Sequence, residues 1–88
     1  MTKEHLTRKV NNLIGYYERA GFSVVGEPHT SECKGLYSMC TYTLVNGETR
    51  LYLVATLWTN ENDWTISVYN PARRGKPVFT CGGGKEGK

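Results

Sequence analysis

Residues 35–58 read GLYSMCTYTLVNGETRLYLVATLW, two runs of alternating apolar and polar residues on either side of Asn46-Gly47. Period-two alternation marks a strand with one buried face, and Asn-Gly between two such runs signals a hairpin because both residues accept positive φ. A two-residue corner at Asn46-Gly47 sets Leu44 opposite Thr49, Tyr42 opposite Leu51, Cys40 opposite Leu53, Ser38 opposite Ala55 and Leu36 opposite Leu57. That face can line a core. The other face carries Thr43 with Arg50, Thr41 with Tyr52, Met39 with Val54 and Tyr37 with Thr56, and Trp58 lies just beyond. Those are large side chains for a face that meets solvent.

Upstream, Leu6, Val10, Leu13, Ile14 and Tyr17 recur at helical period, which predicts a helix over residues 3–20 with one apolar stripe. Thr2 suits the N-cap, and Gly21 stands where a left-handed residue would stop the helix. Gly15 breaks the polar side; a mid-helix glycine costs about 1 kcal/mol relative to alanine, and a tolerated glycine on a solvated face is the expectation. Phe22 to Gly26 reads as a short first strand, and Glu27 to Lys34 as a polar loop.

Downstream, Thr59 to Asp63 is rich in residues that bond their own backbone and reads as a turn. Trp64 to Tyr69 alternates, with Trp64, Ile66 and Val68 inward. Pro71 to Pro77 is a basic loop holding Arg73, Arg74 and Lys76, and Val78 to Cys81 can add an edge strand. The Gly- and Lys-rich residues 82–88 read as a flexible tail after a single domain over residues 1–81.

The expected fold is therefore α+β: one N-terminal helix packed on one face of a four- to five-stranded antiparallel meander. Leu36, Cys40, Leu44, Leu51, Leu53, Leu57, Trp64, Ile66 and Val68 are expected to meet the helix. The opposite face is left to Tyr37, Met39, Tyr52, Val54, Trp58 and Tyr69, ringed by threonines and Arg50. The helix-then-strands order partly resembles double-stranded-RNA-binding domains, which also need a C-terminal helix that this chain lacks. No family is assigned.

Net charge of +3 is mild, and it permits contact with nucleic acid or an acidic protein without requiring either. There is no apolar run long enough to span a membrane and no signal-peptide core at the N-terminus, so the expectation is a cytoplasmic protein with three reduced cysteines.

No residue pattern identifies a reaction. His29, Cys33, Cys40 and Cys81 supply zinc-type ligands without a Cys-x-x-Cys knuckle, so no metal or other cofactor is expected. His29 and Cys33 share a loop with hydroxyls and carboxylates, but a Cys–His nucleophile also needs an orienting group and an oxyanion site.

A non-enzymatic binding protein is the expectation. Aromatics, Met and Arg are enriched in interface cores, and a contiguous exposed apolar patch marks a partner. The expected binding residues are Tyr37, Met39, Arg50, Tyr52, Val54, Trp58, Tyr69, Arg73 and Arg74. A larger protein is the preferred partner. Nucleic acid stacked on the aromatics, with Arg50, Arg73 and Arg74 on phosphates, is the alternative, and a second copy on the same face is a third option. Compact cofactor-free domains with one adhesive face are common among phage- or mobile-element-encoded inhibitors of host machinery, an association at the level of form.

Overall fold

The computed structural model describes residues 2–59, 63–72 and 77–83. Helix α1 (Lys3–Arg19) is followed by strands β1 (Ser23–Cys33), β2 (Tyr37–Asn46), β3 (Thr49–Trp58), β4 (Trp64–Tyr69) and β5 (Phe79–Gly83). The strands form one antiparallel sheet in chain order, β1-β2-β3-β4-β5. This is the α+β meander that the alternation predicts.

Both helix ends follow from local chemistry. The Thr2 hydroxyl accepts from the His5 amide at 3.2 Å and caps the first turn. At the other end Gly21, at φ +104°, donates to the Glu18 carbonyl, and Phe22 donates to that of Tyr17. This paired Schellman arrangement is closed by the Tyr17 and Phe22 rings, 5.6 Å apart edge to face. Gly15 has only the Arg19 guanidinium near it, at 3.7 Å from where a β-carbon would stand, so nothing demands a glycine there.

Leu6, Val10 and Ile14 of the helix stripe bury against Leu44, Leu51, Leu53, Ala55, Ile66 and Val68. Leu57 and Trp64 pack at the margin of this core and Cys40 is half-buried, whereas Leu36 stands exposed in the β1–β2 turn. Leu36 leaves the expected core set because Gly35, at φ +77°, turns the chain, and the Leu36 amide closes that turn onto the Cys33 carbonyl at 2.9 Å.

Three further expectations are corrected. The hairpin corner is Gly47-Glu48, so Asn46 pairs with Thr49, Leu44 with Leu51, Tyr42 with Leu53, Cys40 with Ala55 and Ser38 with Leu57. Gly47 takes the positive φ (+62°) at the first central position, while Asn46 stays in the ladder and reaches the helix end, its Nδ2 donating to the Ala20 carbonyl at 3.5 Å. The slip is two residues. Since side chains alternate with period two, each keeps the face expected of it.

The second correction concerns the polar stretch after Gly26, which continues as strand β1 to Cys33. A register break between Val25 and His29, with Gly26 at φ +70°, takes up the extra residues and accommodates Pro28. At the other end of the sheet, β5 takes in Gly82 and Gly83, residues the composition assigns to the tail.

No helix among the described residues is long and apolar enough to cross a membrane.

Candidate functional site

The face of the sheet opposite the helix is ordered by the ladder into rows that run across the strands. Residues paired across antiparallel strands share a face. One row is Cys33–Tyr37–Trp58, followed by Ser31–Met39–Thr56–Thr65–Gly82, then His29–Thr41–Val54–Ser67–Thr80, then Val25–Thr43–Tyr52–Tyr69. Val45 and Arg50 close the end near the hairpin corner.

The rows differ in the size of their side chains. Tyr37 and Trp58 make one ridge, with ring centroids 6.4 Å apart, and Tyr52 and Tyr69 are cross-strand neighbours in the other. Between them the floor is mostly Thr, Val and Ser. Thr56 at its centre is only 8% exposed, and the Ser67 and Thr80 hydroxyls share a hydrogen bond of 3.0 Å. The ridges lie six residues apart along a strand, about 20 Å at the usual rise. The result is a stretch of mostly smaller side chains between two aromatic rows, a trough in side-chain size.

The Tyr37–Trp58 ridge is held by backbone. The Trp58 amide donates to the Asp63 carbonyl at 3.1 Å, and the Thr59 amide donates to the Leu36 carbonyl at 2.9 Å. The Thr59 hydroxyl lies 3.4 Å from the Gly35 carbonyl. The turn that expels Leu36 from the core thus anchors the end of β3.

Of the expected binding residues, the ladder brings Tyr37, Met39, Tyr52, Val54, Trp58 and Tyr69 onto this one face, with Arg50 at its corner. Tyr69 is 41% exposed and the others, Arg50 apart, are half-buried. Arg73 and Arg74 lie outside the described residues. The described residues from Val78 onward do not fold back over this face: Phe79–Gly83 lies beside β4 as the edge strand.

His29, Ser31 and Cys33 join the face through the extension of β1. Read as loop residues, they gave no sign of this in their composition; their polarity is that of an edge strand. Among the residues paired in register on this face, Arg50 and His29 are the only ionisable side chains besides the tyrosines and Cys33, and there is no carboxylate.

The remaining titratable clusters separate. His29 and Cys33 are four residues apart on one strand, about 13 Å, with Ser31 between them. That span is too long for a thiol–imidazole hydrogen bond. Cys40 and Cys81 sit on the helix side, paired with Ala55 and Ile66. Among the described residues, no three His, Cys, Asp or Glu side chains come close enough to hold a metal ion.

On the helix side, α1 runs over the middle of the sheet and leaves a cleft on each flank. One, of about 510 Å³, lies over β1 and β2 and is bounded by Lys3, Val10, Cys40, Tyr42 and Leu57. The other, of about 610 Å³, lies over β4 and β5 and is bounded by Leu13, Tyr16, Tyr17, Ile66, Val78 and Phe79. Lys9 crosses between helix and sheet with its Nζ 5.4 Å from the Trp64 ring, a cation–π contact. Burial raises the Cys81 thiol pKa, and the Lys9 charge offsets part of that rise.

No protein-family model, curated protein or solved structure matches this chain.

Proposed function

We propose that the chain is a non-enzymatic binding protein that docks on a protein partner through the trough-bearing face of its sheet. One observation carries the reading: a face with two aromatic ridges and almost no fixed charge stands opposite the helix, where a lone sheet would be expected to turn polar. Tyr and Trp are the side chains that dominate interface hot spots, and charge is depleted at interface centres. A trough about 20 Å between walls is wide enough to seat one helix of about 10–12 Å diameter.

The same observation weighs against nucleic acid, whose binding depends on several cations meeting phosphates. Arg50 alone stands on the described part of this face, at its corner. The absence of a catalytic constellation in the sequence and the distance between His29 and Cys33 support a binding rather than an enzymatic role. The likeness in form to phage- or mobile-element-encoded inhibitors makes host machinery the first place to look for the partner.

The test is affinity capture from a cell lysate, with and without nuclease, using wild type, Tyr52→Ala/Trp58→Ala and the exposed helix control Glu18→Ala. Capture that survives nuclease and Glu18→Ala but is lost in the double variant, with the circular-dichroism spectrum unchanged, is the expected result. Undiminished capture by the double variant removes this face from consideration, and nuclease-sensitive capture transfers the role to nucleic acid.

A further inference from the structure

The two edges of the sheet are protected to different degrees. Along β1 the ladder breaks between Val25 and His29, Glu27 and Pro28 lie in the break, and Glu32 follows it. Bulges, prolines and charges are the devices that keep an edge from pairing with another chain. Strand β5 has none of them. Phe79-Thr80-Cys81-Gly82-Gly83 pairs in unbroken register with Val68 through Trp64 and contains neither charge nor proline. No described strand lies on its outer side. Beside it opens the 610 Å³ cleft, where Tyr16 (59% exposed), Val78 (45%) and Phe79 (39%) show apolar surface to solvent.

We propose that β5 pairs antiparallel with β5 of a second copy about a two-fold axis at Cys81, joining two five-stranded sheets into one. An open backbone ladder selects an extended chain as its occupant, since only another strand offers donors and acceptors at matching intervals. The strand's own sequence selects a second copy. About Cys81, Phe79 falls opposite Gly83 of the second copy, Thr80 opposite Gly82, and Cys81 opposite itself.

Larger residues thus meet glycines across the dyad, so the two strands can approach without side-chain overlap. Phe79 and Gly83 both occupy the helix side, where Trp64 already lies against Gly83 of its own chain, so each Phe79 ring meets the Trp64 indole of the other copy across that glycine. The axis stands perpendicular to the sheet, which keeps both trough-bearing faces on one side. This pairing goes beyond the protein-partner reading and does not rest on it; if both hold, the dimer presents two docking faces to one target and gains avidity.

Light scattering and thiol cross-linking test it together. Wild type is expected to rise toward twice the monomer mass with concentration. Cys81→Asp, which sets two carboxylates opposite each other, is expected to stay monomeric with an unchanged circular-dichroism spectrum. A chain with Cys33→Ser and Cys40→Ser keeps Cys81 as its sole thiol. Oxidised in air with copper–phenanthroline at alkaline pH, it is expected to form a disulfide-linked dimer that dithiothreitol reverses.

If Cys81→Asp fails to fold, the cross-link decides. Monomer mass at every concentration overturns the proposal. So does a Cys33-only chain that cross-links as readily as the Cys81-only chain. Tyr52→Ala/Trp58→Ala is expected to dimerise as wild type does; loss of the dimer there places the contact on the trough and overturns the β5 pairing.

Discussion

Gly21 and Asn46 meet at the junction of helix and hairpin: a β-carbon at Gly21 would stand 3.0 Å from the Asn46 Nδ2. The same nitrogen donates to the Ala20 carbonyl, one of those that the end of the helix leaves open. Gly21 is thus constrained twice, by its φ of +104° and by the side chain that crosses it. Gly21→Ala is expected to cost about 1–2 kcal/mol from the left-handed backbone alone, read as a lower urea midpoint at constant slope.

Gly15 is the opposite case. Its neighbourhood holds a single guanidinium at ordinary contact distance, and its backbone is helical. Gly15→Ala is expected to stabilise the fold by about 0.5–1 kcal/mol, seen as a higher thermal midpoint.

Gly82 and Gly83 let β5 close onto Trp64. A β-carbon would stand 2.7 Å from the Trp64 carbonyl oxygen at Gly82, and 2.6 Å from the indole Nε1 at Gly83. The carbonyl is backbone and cannot turn aside, so Gly82→Ala is expected to displace β5 and cost about 1–3 kcal/mol, the range for overpacking. Gly83→Ala is expected to push the indole, which a shift in Trp64 emission in a Trp58→Phe background would report.

Burial, reinforced by the adjacent Tyr16, raises the Tyr17 phenol above its ordinary value of 10.0. The fold favours the neutral phenol, so this contribution is whole below the unfolded-state value and is lost as pH rises through the folded one. Tyr42 shifts in the same direction, through burial and the Cys40 thiol beside it. Urea midpoints are therefore expected to fall as pH climbs past about 10. Tyr17→Phe is expected to remove part of that slope, and an unchanged slope would assign it to other groups.

The helix ends, the meander and the division of residues between faces were legible in the sequence because each rests on a local rule. Thr2 and Gly21 have the chemistry of caps, and alternation fixes the parity of every strand residue. Parity does not fix register. Local rules admit both corners, Asn46-Gly47 as well as Gly47-Glu48 with glycine at the first central position, and the structure takes the second, which keeps Asn46 in the ladder with its Nδ2 3.5 Å from the Ala20 carbonyl. Strand β1 was masked for a related reason. Its outer half is polar because it lies at an edge, and Pro28 is admitted by a bulge. The candidate face was legible as a set of residues. Its arrangement into two ridges and a floor had to await the ladder, since a two-residue slip moves Tyr37 from beside Thr56 to beside Trp58.

Each strand lies next to the one synthesised just before it. Each hairpin closes a short loop, so less entropy is lost before its contacts form than in a sheet whose neighbouring strands are distant in sequence. The sheet can then grow one hairpin at a time, bringing Leu44, Leu53 and Ile66 from three strands onto the face that the helix covers. Each strand therefore finds partners for its backbone groups without waiting for a distant segment.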